Sequence, residues 1–367
     1  MMPGPGAYWI GDEEKKEVMD VLEGRYPFRY GELDNEHYKR KVYTFEQEFG
    51  AFTGAKHCVA TNSGTSTLFI SLKAIGLQPG DEVILPTYGF IASYGATILL
   101  GGVPVLAEID ESFCLDPADV EKKITPKTKA IMPVHVLGNP CNMDAIMDIA
   151  NRHGLMVLED CCQACGGTYK GRHVGNFGEF GGFSLNLFKT ITAGDGGMLI
   201  TNRDAYAEFA FGMTDQGYKR KQASVQIAPP SVLGFNFRMN ELTGAFALAQ
   251  LRKLNHIVAT LRAKKRLFKE AIGDIPGLRF RTLNDPEGEC ATLLTVIFDS
   301  QEKAAKVAER LGTFTVDNTG WHVAFQMDHL LQHLNSIGRP YRGVDFPRTE
   351  DLLRRSINLS VGVVDPG

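Results

Sequence analysis

Residues 182–201 read GFSLNLFKTITAGDGGMLIT. A single lysine, Lys189, closes an apolar run, and Gly194, Gly196 and Gly197 follow it. A lysine at the end of a buried strand is costly unless its charge is solvated, removed or used. Two uses are open. The side chain can snorkel to water along its own stem. Alternatively, its amine can condense with a carbonyl compound, lose its fixed charge and serve as nucleophile and proton carrier. Ser184 stands five residues earlier, and the glycines permit a sharp turn and the close approach of a ligand.

Three other segments could carry chemistry. Asp160 ends the apolar stretch MVLED. A carboxylate there needs either loop N–H groups or a cation, and a protonated cofactor ring nitrogen is one such cation. The residues after it, CCQACGG, contain a C-x-x-C between Cys162 and Cys165, which raises zinc or redox chemistry. No second matched pair exists and no thioredoxin-like context surrounds it. Cys161, Cys162 and Cys165 are therefore read as buried free thiols, neither a metal site nor disulfides. The stretch TNSGTSTL, residues 61–68, puts a Ser-Gly-Thr-Ser turn at a helix start. Exposed N–H groups and the helix dipole there favour a phosphate, although the same residues can act merely as a cap. The stretch matches neither the Walker pattern nor the dinucleotide fingerprint. Finally, Asn236 and Arg238 in LGFNFRMNEL stand in a loop ahead of a long helical run, open to anion or amide contacts or to capping.

The elements that must position these residues follow from the hydrophobic pattern. GDEEKKEVMDVLEG predicts a helix with Gly24 as its C-cap, and a second helix falls around YTFEQEFGAFTG. RYPFRYGELDNEHYKRK between them has no clear period and is read as loop. From residue 57 short apolar runs (HCVAT, EVILP, VPVLAEI, AIMPVHVL, MVLED) alternate with helical stretches. One of these covers 142–153, with Asn142 as N-cap and Gly154 past its end. This alternation predicts a mainly parallel sheet covered on both faces, with ligand sites at the carboxyl ends of its strands. Residues 241–272 read as one long helix. Strand-like LRFRTL and ATLLTVIF, the helix SQEKAAKVAERLG and the final SINLSVGVV follow. The expected division is an N-terminal segment with a large α/β domain over 1–235, and a small C-terminal α+β domain over 236–367.

Composition excludes several classes. The chain of 367 residues is 44% hydrophobic and 22% charged, with a net charge of −4. There is no bulk basic field for nucleic acid or anionic lipid. The first residues lack the basic-then-apolar order of a signal peptide, and no apolar run approaches the roughly 20 residues that span a bilayer. The seven cysteines are read as reduced thiols of a cytoplasmic protein. There is no internal repeat or low-complexity tract.

Taken together and in this order, Gly64-Thr65, Asp160 with Gln163, Ser184 with Lys189, and Asn236 resemble the pyridoxal-phosphate site of fold type I enzymes. More closely, the chain resembles the DegT/DnrJ/EryC1/StrS family of sugar and aminocyclitol aminotransferases, from WIGDEEKKEVMDVL to SINLSVGV. The distinctive stretches are SGTSTL, GDEVILPTYGFIAS, LEDCCQACG, FSLNLFKTITAGDGGMLITN and GFNFRMNEL. The resemblance implies that Lys189 forms a Schiff base with pyridoxal 5′-phosphate. Asp160 would pair with the pyridine nitrogen and keep the ring an electron sink. Gln163 would lie beside the phenolic oxygen, with Gly64, Thr65 and Ser184 on the phosphate and Phe90 stacked on the ring. Asn236 would reach the phosphate of a neighbouring subunit's cofactor, which implies a homodimer with shared sites. No metal is implied. Two departures stand out: Cys161 and Cys162 replace two residues that are often alanine, and LNLFKTITAG replaces a stretch often reading FFPTKNLG. Together with RYPFRYGE, the second leans toward members acting on aminocyclitol ketones or eight- and nine-carbon sugar ketones.

The implied reaction is a ping-pong transamination. L-glutamate or L-glutamine gives its amino group to the cofactor, leaving pyridoxamine 5′-phosphate, and a keto-sugar or keto-aminocyclitol then accepts it. Lys189 moves the proton between Cα and C4′. The setting would be amino-sugar, polysaccharide or antibiotic biosynthesis. One alternative is a sugar dehydratase of the same family, but those variants carry histidine in place of the lysine. The other is a non-catalytic cofactor-binding sensor, for which no helix-turn-helix appendage or basic face exists.

Overall fold

The structure is a computed structural model describing residues 3–226 and 232–362. The start of the Pro- and Gly-marked connection, residues 228–231, and the last two residues of SINLSVGVV lie outside the described residues.

The central sheet has seven strands. In chain order, β1 (His57–Thr61), β2 (Glu82–Pro86), β3 (Val103–Ala107), β4 (Thr128–Ile131) and β5 (Met156–Asp160) come first. A short hairpin of β6 (Thr168–Tyr169) and β7 (Arg172–His173) intervenes before β8 (Phe180–Ser184) and β9 (Gly197–Thr201) complete the sheet. The spatial order is β1-β9-β8-β5-β4-β2-β3. β3, β2, β4, β5 and β8 are parallel along the sheet. β9 alone is reversed, antiparallel to both β8 and β1. The chain leaves β8 at Ser184, passes through the Lys189 loop and returns at once beside itself. A direct return between neighbours requires antiparallel pairing, because a parallel pair needs a long crossover. The carboxyl ends of β1, β2, β5 and β8 therefore share one edge.

Burial on both faces explains the unbroken apolar character of these strands. β2, β8 and β9 are buried at every residue. Successive residues serve opposite faces. Leu199 joins Leu68, Leu72, Val83 and Leu158 on one side. Met198 and Ile200 join Phe45, Phe49, Leu251 and Leu254 on the other. Phe49 and Phe183 meet edge to face at 5.2 Å.

Local signals set several helix ends. The helix Met143–His153 begins at Asn142, whose side chain accepts the Ala145 amide, and stops at Gly154 in the left-handed conformation, φ 65°. Gly24 departs from expectation: it is the last helical residue, and Arg25 takes the left-handed cap at φ 56°. A Cβ on Gly24 would lie 2.4 Å from the His37 carbonyl oxygen, so the glycine lets the following loop press onto the helix.

The long helix Glu241–Ile272 is capped by Asn240, which accepts the Thr243 amide. Its first turns pack against the helices Asp12–Gly24 and Lys41–Thr53. Glu241 reaches across to accept the amides of Lys41 at 2.7 Å and Val42 at 2.9 Å, capping that helix in turn. Burial pushes the Glu241 carboxyl up to about 7. The sequence boundary at 235/236 falls just before this helix. β10 (Lys219–Lys221) and β11 (Ser224–Gln226) form a hairpin ahead of it. After it, β12 (Leu278–Phe280), β13 (Leu293–Phe298) and β14 (Ser356–Ser360) form a separate antiparallel sheet. Among the described residues no helix is long and apolar enough to cross a membrane.

Candidate active site

Asp160 is the last residue of β5 and is buried. Its Oδ2 accepts the Ser93 hydroxyl at 2.6 Å, and its Oδ1 accepts the Cys162 amide at 3.0 Å. Among the described residues no Lys, Arg or His forms an ion pair with it. Two neutral donors fix the carboxylate and leave it acceptor capacity. Such a group favours a cation placed against it.

Lys189 sits half-buried on the loop between β8 and β9, with Nζ 6.0 Å from the centroid of the Phe90 ring. No carboxylate among the described residues pairs with it. The loop itself is held from three sides. The Lys189 amide donates to Asn186 at 3.0 Å, and the N-terminal segment donates from Gly4 to Leu187 at 3.0 Å and from Gly6 to Lys189 at 3.2 Å. Gln250 of the long helix accepts the Thr192 amide at 3.2 Å.

The TNSGTSTL turn caps the helix that follows it. Ser63 is the N-cap of the helix Gly64–Ala74 and accepts the Ser66 amide at 3.1 Å. The amides of Gly64 and Thr65 then lie at the helix start, where no intrahelical acceptor exists for them. A Cβ on Gly64 would stand 2.7 Å from Ser184 Cβ and 2.8 Å from Cys162 Sγ. The helix start, the end of β8 and the turn after β5 therefore converge on one point. Ser184 is buried there, and its Oγ accepts the Asn186 amide at 3.3 Å.

Phe90 follows β2 and precedes the helix Ile91–Leu99, which carries Ser93 to Asp160. Gln163 lies in the turn after β5, and its Oε1 accepts the Leu137 amide at 2.9 Å. Asn236 is placed differently. It is exposed on a strap that bonds back to residues 213–216, and its Oδ1 accepts the Arg238 amide at 3.4 Å. Arg238 pairs with the buried Asp215 and bridges to Thr61 at the end of β1. The fold thus gathers Gly64, Phe90, Asp160, Ser184 and Lys189 at one sheet edge. Gln163 is beside them, and Asn236 faces outward.

Two further residues stand at this edge. Ser93 is one. The other is His322, whose ring lies 5.7 Å from that of Phe90 and 6.0 Å from that of Tyr88. Backbone pairing of residues 87–89 with 322–324 brings it there. Burial, and then the charge of Lys189, bring its pKa down to about 4. A neutral imidazole therefore faces the lysine.

All seven cysteines are free thiols. Burial raises the pKa values of Cys161 and Cys162 well above the ordinary thiol range, so both stay protonated. His135, Glu159 and Cys161 bring ligand atoms within 4.8 Å of one another. Glu159 already accepts the amides of Gly175 at 2.7 Å, Phe177 at 2.7 Å and Gly178 at 2.9 Å. His135 Nδ1 accepts the Cys141 amide, so its other nitrogen donates to Glu159 at 3.2 Å. Those partners account for the cluster without an ion.

The edge fits a phosphorylated cofactor with a cationic ring. Asp160 is a buried carboxylate that no cationic side chain among the described residues pairs with, and the bare Gly64 backbone lines a space that a Cβ would fill. Residues 10–363 match the model of the DegT/DnrJ/EryC1/StrS aminotransferase family. The spore coat polysaccharide biosynthesis protein SpsC of Bacillus subtilis is 35% identical over 363 residues, which cover 95% of this chain and 90% of that one. The GDP-perosamine synthase of Caulobacter vibrioides is 41% identical over 225 residues, covering 61% of this chain and 60% of that relative, less than two thirds of its length. The crystal structure of the aminotransferase from Psychrobacter cryohalolentis superposes with a TM-score of 0.85 at 26% identity, covering 99% of this chain and 94% of that one.

Proposed function

The chain belongs to the DegT/DnrJ/EryC1/StrS aminotransferase family and is a pyridoxal-phosphate-dependent aminotransferase of fold type I; we propose that it moves an amino group from L-glutamate or L-glutamine to a keto-sugar or keto-aminocyclitol. One observation carries this reading. An unpaired lysine, a buried carboxylate held only by neutral donors and a glycine-walled helix start meet at the same sheet edge. The names of the relatives, a spore coat polysaccharide biosynthesis protein and a GDP-perosamine synthase, support the sugar side of the choice.

The chain's residues divide the work as follows. The Gly64 and Thr65 amides hold the cofactor's phosphate with the help of the helix dipole, and Ser184 adds a hydroxyl. Asp160, oriented by Ser93 and the Cys162 amide, pairs with the ring nitrogen. Gln163 faces the phenolic oxygen and Phe90 covers the ring. Bound there, pyridoxal phosphate supplies an electron sink for bond breaking at the donor's Cα. Lys189 would hold the cofactor through its amine and would carry the proton at the donor's Cα. His322, neutral at ordinary pH, offers a hydrogen-bonding partner to a hydroxyl-bearing acceptor.

The working unit is a homodimer in which Asn236 serves the neighbouring site. Its exposure supports this, as do the exposed apolar residues beside it (Leu233, 93% exposed, and Phe235) and those on the lysine loop (Leu187 and Phe188). Seven free thiols suit a reducing compartment, and we place the reaction in the cytoplasm.

The test offers keto-sugars and keto-aminocyclitols to protein already treated with each amino donor, and reads product masses. A product that has gained an amino group supports the proposal. A product that has lost water without gaining nitrogen would assign a dehydratase instead. Failure of every donor to react would assign a sensor.

A further inference from the structure

The turn Val136–Gly138 lies between the Gln163 side chain and the second sheet. Leu137 adopts the left-handed conformation, φ 51° and ψ 37°, which a residue with a Cβ holds only when its surroundings impose it. Here they do. Arg281, just past β12, donates Nη1 to the Val136 carbonyl at 3.1 Å and Nη2 to the Leu137 carbonyl at 2.8 Å. Thr292 donates its hydroxyl to the same Leu137 carbonyl at 3.2 Å, and the Cys290 amide donates to Gly138 at 2.8 Å. Arg281 is itself buried. The far side of this peptide turns its N–H to Gln163 Oε1 at 2.9 Å.

An N–H can bond only to the oxygen of a side-chain amide. The Leu137 bond therefore fixes which way the Gln163 amide points and leaves its NH₂ as the group free to donate. We propose that Arg281 is a positioning residue that aims the Gln163 amide at the cofactor's phenolic oxygen, acting through the backbone of Leu137. The inference rests on the proposed function, because that reading places Gln163 beside the phenolic oxygen. It ties the proton affinity of the bound cofactor to the second sheet.

A hydrogen bond donated to an oxygen anion favours the deprotonated form. Losing it moves the pH midpoint of the bound cofactor's visible absorption upward. The experiment reads that midpoint in wild type, Arg281→Met, Gln163→Ala and the double variant, each loaded with pyridoxal phosphate. Gln163→Ala is expected to raise the midpoint by about one unit. Arg281→Met should move it the same way, and the double variant no further than Gln163→Ala alone. Arg281→Lys should recover part of the shift. A purely structural role for Arg281 would lower the melting temperature and leave the midpoint in place. If Arg281→Met does not fold, Thr292→Val removes another bond to the Leu137 carbonyl and should give a smaller shift in the same direction. An unmoved midpoint in the folded, cofactor-bound variants, or shifts that add fully in the double variant, overturns the inference while the proposed function stands. A wild-type chain with no Lys189-dependent absorption overturns both.

Discussion

A methyl group at Gly64 measures how closely the helix start must approach the end of β8. In Gly64→Ala the new Cβ would lie 2.7 Å from Ser184 Cβ, 3.2 Å from Ser184 Cα and 2.8 Å from Cys162 Sγ. Carbon atoms in contact rest at about 3.5–4.0 Å, so something must move by roughly 1 Å. Ser184 ends a fully buried strand, and Cys162 sits in the turn anchored to Asp160. The helix start therefore yields. An N–H···O bond of about 2.9 Å stretched by that amount is no longer a hydrogen bond. Two charge-assisted bonds to phosphate, each about 1.5–3 kcal/mol, are then lost. Pyridoxal phosphate affinity is expected to fall by about 3–6 kcal/mol, roughly two to four powers of ten. Overpacking at this edge costs the fold only about 1–3 kcal/mol. Equilibrium dialysis and thermal melts separate the two effects. Gly95→Ala is the control. It lies inside the helix Ile91–Leu99, and its Cβ would meet nothing within 4 Å. It should leave affinity unchanged and raise stability by up to about 1 kcal/mol. Cofactor affinity in Gly64→Ala within about threefold of wild type would refute the cradle.

Asp160→Asn should still bind cofactor yet lose turnover by several powers of ten, the scale on which a key electrostatic partner acts; unchanged kinetics would give Asp160 a structural role. Burial raises Glu241 from its ordinary value of 4.5 to about 7, so between those values the folded chain holds a proton that the unfolded chain has lost. Stability should therefore fall as pH rises through that window, by roughly 3 kcal/mol in total. Denaturant titrations of wild type and Glu241→Gln check it, and equal pH slopes would sink the assignment. Mixing the inactive variants Lys189→Ala and Asn236→Asp should restore about a quarter of wild-type activity, because half of random dimers are mixed and each carries one intact site. No recovery, despite shown subunit exchange, would mean that Asn236 serves its own subunit or no site at all.

The residues most legible in the sequence are those whose charge conflicts with their surroundings. Asp160 and Lys189 each end an apolar stretch, and the structure puts both at the carboxyl edge of the sheet. Asn142 and Gly154 were legible because capping is a local event. The reversed strand β9 was not, because its orientation is set by the short return through the lysine loop, and strand–helix alternation says nothing about such a return. Gly24 misled for a related reason: the glycine serves a close approach by His37, thirteen residues on, and not the cap. Ser93 and His322 reach the site through pairings between distant segments. Neither residue's own sequence neighbourhood shows the distant partner that brings it there. The Leu137 bond to Gln163 is equally silent, since it depends on a left-handed residue whose turn is held by Arg281, Thr292 and Cys290 from far along the chain.

The most direct test of amino transfer at Lys189 follows the nitrogen itself. Cofactor-loaded protein is mixed, without acceptor, with L-glutamate or L-glutamine isotopically labelled at the α-amino nitrogen, and the cofactor is then released and weighed. Stoichiometric labelled pyridoxamine phosphate is expected from the wild type together with the matching oxo acid, and none from Lys189→Ala. Unlabelled pyridoxal phosphate recovered intact from the wild type with both donors, or label transferred equally well without Lys189, would contradict amino transfer at Lys189.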